Sequence, residues 1–145
     1  MMRGIVGIAA IGLACCIIGE PAVAAERRPA PEGAVAYIIW PTDGAVVPGG
    51  KFWLRMGLSG AGIAPAGIDR PHTGHHHLIV DADLPPLDQP IPNDKTHLHF
   101  GAGQTEVRIE LPPGRHTLQL LLGDADHVPH DPPVMSKKII ITVPQ

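Results

Sequence analysis

The chain has 145 residues, 44% of them hydrophobic and only 3% aromatic, with a net charge of −3 at pH 7. Eleven Lys and Arg against fourteen Asp and Glu, with no basic run, argue against nucleic acid or an anionic lipid surface as partner; both need clustered cations, and single strands usually need stacking aromatics as well. Both cysteines, Cys15 and Cys16, lie near the N-terminus, so the rest of the chain can build neither a disulfide framework nor a thiolate metal site nor a cysteine nucleophile.

Arg3, the apolar run Ile5 to Ile18, Glu20-Pro21 and the small residues Ala22-Val23-Ala24-Ala25 form the n-region, h-region and cleavage site of a signal peptide over residues 1–25. Cleavage after Ala25 starts the mature chain at Glu26 and sends it to the periplasm. The run falls short of the roughly 20 apolar residues that span a bilayer, so the mature chain is expected to have no spanning segment. Leu13-Ala14-Cys15-Cys16 offers a second reading, a lipoprotein start, with a poorer fit immediately before the cysteine. Residues 26–34 hold two prolines and no apolar periodicity, and read as a flexible Pro-rich linker.

Residues 35–145 form one His-rich domain. Val35 to Trp40 is a first strand, closed by the turn signal Pro41-Thr42-Asp43-Gly44. Lys51 to Leu58 alternates with period two, placing Phe52, Leu54 and Met56 on one face. His75 to Val80 is apolar on both phases, as a central strand would be. After the Pro-rich connection Leu84 to Pro92 come His97 to Phe100, Thr105 to Leu111 and His116 to Leu122, then a long loop and a last strand over Lys137 to Val143. Seven strands with no amphipathic helix predict an all-β fold, an immunoglobulin-like antiparallel β-sandwich. Phe52, Leu54, Met56, Leu98, Phe100, Val107, Ile109, Leu118, Leu120, Ile139 and Ile141 are the expected core.

All nine histidines fall between His72 and His130. If successive strands alternate in direction, His72 to His77, the pair His97 and His99, and the pair His127 and His130 share one pole of the sandwich, with His116 at the other. His75-x-His77 and His97-x-His99 each put two imidazoles on one face of a strand. The expected metal ligands are therefore His75, His77, His97, His99, His127 and His130, with copper or zinc as the ion these imidazoles suit. Asp124, Asp126 and Asp131 back the loop pair, and Met135 stands near enough to His130 to offer a thioether to Cu(I). His76 shares its phase with Leu78 and Val80 and is as well read as a packed core histidine; His116 reads as structural, serving the hairpin after Pro112-Pro113-Gly114.

Four segments resemble an exported bacterial domain-of-unknown-function family: Pro71-His72-Thr73-Gly74-His75-His76-His77-Leu78, Asp83 to Pro92, His97-Leu98-His99-Phe100-Gly101 and Gly114 to Asp124. The resemblance covers about Tyr37 to Val143 and implies an exported domain with no assigned activity. Some similar sequences carry the label rod-shape-determining protein, an integral membrane class whose many spanning helices this chain lacks. Three functions stay open: a periplasmic metal-binding module, a structural or protein-interaction domain of the envelope with hydrogen-bonded histidines, and a metal-dependent enzyme. With only Ser59 and Ser136 after the leader, neither in a nucleophile elbow, covalent catalysis is the poorest fit.

Overall fold

The computed structural model describes residues 24–145, so the expected signal peptide lies, apart from its last two residues, outside the described residues. Eight strands and no helix are found among the described residues: β1 Val35–Trp40, β2 Lys51–Ser59, β3 Gly62–Ile63, β4 Thr73–Val80, β5 His97–His99, β6 Glu106–Glu110, β7 Gly114–Gly123 and β8 Ile139–Val143. No helix there is long and apolar enough to cross a membrane. One sheet has the order β1-β2-β6; the other runs β3-β4-β7-β8, with β5 also paired to β4.

Alternation decides which faces meet. Phe52, Leu54 and Met56 of β2 and Ile109 of β6 face Leu78 and Val80 of β4, Leu118, Leu120 and Leu122 of β7 and Ile141 of β8 in one core between the sheets. All eleven expected core residues belong to it, Leu98, Val107 and Ile139 at its partly buried margin. Each large side chain fully withdrawn from water contributes roughly 1.5–3 kcal/mol, which is the driving force of a domain without disulfides.

The architecture differs from the expected one in three places. The two-residue strand β3, too short to leave a periodic signal, pairs parallel with β4, so its sheet is mixed rather than wholly antiparallel. The fourth expected strand, β5, pairs with β4 through His77↔His99, Leu78↔Leu98 and Ile79↔His97. In the immunoglobulin constant pattern the fourth strand joins the first, second and fifth instead. The stretch expected to be a flexible linker is laid along the loop between β7 and β8: the Ala30 amide donates to the Asp131 carbonyl at 2.8 Å and the Asp131 amide to that of Arg28 at 2.8 Å. Its prolines cannot enter a helix, but an extended segment can still pair with a loop edge, and Arg27 and Arg28 anchor it with side-chain bonds.

β4 is buried on both faces because its sheet is covered twice. Ile79, Ile91 and Leu121 form a second small core with Leu87 and Met135 on the face turned away from the sandwich interior. The Pro-rich connection before β5 and the long connection after β7 fold over that face and are tied together by the Ile91 amide on the His127 carbonyl, 2.9 Å.

His116 sits apart, at the start of β7. Its Nε2 donates to the Pro112 carbonyl at 2.8 Å and its Nδ1 faces Asp81 Oδ2 at 2.7 Å. Burial by itself would lower its pKa; the Asp81 and Pro112 bonds outweigh that and hold the ring above its ordinary range. With an acceptor on each nitrogen, the imidazolium is the form that fits. His116→Ala should cost about 1–3 kcal/mol in a denaturant titration, since a charged hydrogen bond is lost and the Pro112 carbonyl is left unpaired. Metal affinity should not change.

Candidate metal centre

β4 presents His75 and His77 on the outer face of its sheet, with His76 between them on the inner phase of Leu78 and Val80. Register then sets the third ring: His99 lies directly opposite His77 on β5. The connection after β7 brings His127 over the same spot. The four ring centres are close to equidistant: 4.8 Å for His75–His77, 5.0 Å for His75–His99, 5.0 Å for His75–His127, 5.0 Å for His77–His99, 4.8 Å for His99–His127 and 6.0 Å for His77–His127. One ring nitrogen from each of His75, His77 and His99 lies within 4.8 Å of the others, a geometry that could hold a metal ion; His127 joins them by its ring centre and stands outside that set of nitrogens.

Two glycines make the room. A Cβ on Gly123 would stand 2.8 Å from Cε1 of His77 and 3.2 Å from the Cα of His127; one on Gly101 would overlap Cε1 and Nε2 of His99. Gly123→Ala must therefore push His77 or the His127 loop out of place. Overpacking of this kind costs about 1–3 kcal/mol, and a displaced ring should weaken metal binding at least about tenfold, read by denaturation and by zinc titration of the same preparation.

His127 has a left-handed backbone, φ 69°, uncommon for a residue with a side chain. Its amide donates to the Asp124 carbonyl at 3.0 Å, and Asp124 Oδ1 accepts the amides of Asp126 and Val128 at 2.9 Å each. The other carboxylate oxygen, Oδ2, meets Arg28 Nε at 3.0 Å. Asp124 is thus fully engaged in shaping the loop, and among the described residues no carboxylate is grouped with the rings.

His75, His76 and His77 are wholly buried, and none of their six ring nitrogens has a hydrogen-bond partner among the described residues. Each unpaired buried polar atom costs about 1–3 kcal/mol. Burial, reinforced by repulsion from His127 and His99, pushes the His75 pKa down to about 4. Burial lowers His76 to about 4 and, with the neighbouring rings adding to it, His77 to about 3. His99 is lowered for the same two reasons, burial and His127. The rings of β4 are therefore neutral at pH 7, the state in which imidazole ligates.

Of the six histidines singled out in the sequence, the fold brings together His75, His77, His99 and His127. His97 is turned into a local turn, its Nδ1 on Asp94 Oδ1 at 3.0 Å, where the same oxygen also takes the His97 and Thr96 amides. The His97 bond, then those of Thr96, hold the Asp94 carboxyl down at about 2. His130 is buried apart from the four rings, and its carbonyl receives the Arg27 guanidinium. His72 is an exposed left-handed turn residue. The Met135 sulfur lies 3.7 Å from Gln119 Nε2, beside the small outer core. The cluster forms on the outer sheet face at the end where β4 begins and β5 and β7 end, with His99 brought in because β5 pairs with β4.

Gly101, Gly123 and Arg28 carry no ligand atom and were not among the expected site residues. A glycine ending or just following a strand, as Gly123 and Gly101 do, is a signal of close approach; Arg28 has no local signal at all, since its partners are distant in the chain.

Fold and site together define a class: a two-sheet β-sandwich with a buried histidine cluster on the outer face of one sheet. The chain belongs to the DUF4399 family, a domain of unknown function, whose model matches residues 54–144. That match begins within β2, runs past the end of β8 and contains every histidine of the chain. No curated protein and no solved structure matches it.

Proposed function

We propose that this domain is a periplasmic metal-binding module that holds one copper or zinc ion on the imidazoles of His75, His77 and His99, after export by the N-terminal leader. The observation that carries this reading is the set of buried ring nitrogens on His75 and His77 without a partner among the described residues, gathered with a nitrogen of a third ring on the paired strand. A fold that leaves such groups unpaired gives up several kcal/mol unless something else satisfies them. Nitrogen-only ligation suits zinc and copper and disfavours calcium and magnesium, which want oxygen. A purely structural, hydrogen-bonded histidine pole would instead require these nitrogens to be paired, as those of His116 are. Buffering the ion, or passing it to another envelope protein, is the role we propose for such a module.

Elemental analysis of the protein purified from the periplasm, with titration of Zn(II), Cu(II) and Cu(I) into the apoprotein, tests this. One equivalent of zinc or copper, bound tightly and competing with a chelator, is expected. Binding that is weak, or that survives loss of His75 and His77 together, would defeat it, and intact mass of the exported protein checks the cleavage after Ala25.

A further inference from the structure

Resting on the metal-binding reading above, we propose that His127 is the fourth ligand of a closed, tetrahedral, all-imidazole centre for zinc(II), delivered by the loop after β7 and held in place by Arg28. A metal about 2.0–2.1 Å from one nitrogen of each of four rings puts tetrahedrally arranged ring centres roughly 5 Å apart. Five of the six observed separations are 4.8 or 5.0 Å. A square-planar set would instead need two long diagonals, on opposite pairs. Only His77–His127 is longer, at 6.0 Å, while the opposite pair, His75–His99, is 5.0 Å.

The ring arrangement therefore favours an ion with no demand for a planar site. Cu(II) prefers tetragonal geometry and Cu(I) prefers sulfur, whereas zinc accepts four nitrogens in a tetrahedron. Among the described residues the thioether on this outer face, Met135, faces Gln119. Four ligands also leave no open position for a reacting water, the mark of a holding site rather than a hydrolytic one.

Three ligands come from paired strands and the fourth from a loop, so His127 is where the site opens. The N-terminal segment locks that loop. Arg28 joins Asp124, the carboxylate that shapes the His127 turn, and also Asp69 on the connection between β3 and β4. Arg27 bonds the carbonyls of Pro129 and His130 and pairs with Asp131 at 3.1 Å. Arg28 is thus a positioning residue: it touches no ring of the site, and acts on the fourth ligand through Asp124.

Cobalt(II) replaces zinc as a probe because its visible absorption is intense in a tetrahedral site and weak in higher coordination. The intact chain is expected to bind one Co(II) with intense bands. His127→Asn, chosen because asparagine tolerates the left-handed backbone, should still bind one Co(II), with bands several-fold weaker as solvent enters. Its zinc affinity should fall by more than the roughly 10–100-fold that losing an outer-shell partner costs. His127→Ala should regain the intense bands on adding free imidazole, which a merely structural role would not produce. Arg28→Gln should release zinc to a chelator faster and weaken the bands in the same direction. Stoichiometric binding with weak bands in the intact chain, or an unchanged spectrum in His127→Asn, overturns the fourth ligand and leaves the three-histidine reading standing. Absence of stoichiometric Co(II), Zn(II) and copper binding removes both.

Discussion

Replacing His75 and His77 together by alanine is expected to abolish tight metal binding and, with it, the stabilisation that metal confers. A ligand held at about a thousand times its Kd adds about 4 kcal/mol to unfolding, which for a domain of this size raises Tm on the order of 10–20 °C. The metal-dependent difference should vanish in the double variant. The apoprotein should change much less, because two effects oppose. Truncation leaves cavities, at about 2–5 kcal/mol for a large buried side chain. It also removes buried ring nitrogens that have no partner, each unfavourable by about 1–3 kcal/mol. A volume-conserving His77→Leu should sharpen the contrast: an apoprotein as stable as the parent, with metal affinity lost. Thermal unfolding with zinc and with chelator, on parent and variants, reads all of this. An undiminished metal-dependent rise in the double variant would contradict the site.

The second large effect is with pH. Folded His75 and His76 titrate at about 4 and His77 at about 3, chiefly through burial, below the ordinary 6.5 at which they titrate when unfolded. The unfolded chain therefore takes up protons first on acidification. Their contribution is fully present above about pH 6.5 and is lost as pH falls towards 4 and then 3. Each tenfold difference in proton affinity between the folded and the unfolded ring is worth about 1.4 kcal/mol, so three buried rings make the loss several kcal/mol. His116 works in the opposite sense. Its folded pKa is raised, so what it contributes is present below about 6.5 and lost as pH rises through the folded value. His116→Ala should therefore steepen the acid loss. Urea titrations of the apoprotein in chelator at about pH 7.5, 6 and 4.5 measure the slope, and a flat profile would contradict burial of uncharged rings. With metal bound the fall should begin near the same pH, be steeper and continue to lower pH, since the ligating nitrogens take up no proton until the ion is released.

Strand positions were legible because the apolar alternation of β2, β6 and β7 has one physical reading: a helix period would scatter Phe52, Leu54 and Met56 around its circumference. The same logic identified His75 and His77 as side-by-side rings, since residues two apart on a strand share a face. β3 left no such trace, as two residues cannot show a period. Nor could composition distinguish a tether from residues 26–34 as they lie in the fold, bound through Arg27 and Arg28 to partners far along the chain.

The sandwich, its core and the three histidine groups could be read from the chain, because period and turn chemistry are local properties. Tertiary structure alone decided which of those histidines meet. His99 joins the cluster and His97 does not because β5 pairs with β4 in a register that sets His99 opposite His77, while Asp94 draws His97 into its own turn. His127 joins and His130 does not because Asp124 folds the loop into a left-handed turn at one residue and the N-terminal segment occupies the other side. Strand partners, registers and loop closures are contacts between residues distant in the chain. Their free energies depend on the assembled surfaces and leave no local pattern from which they could be read.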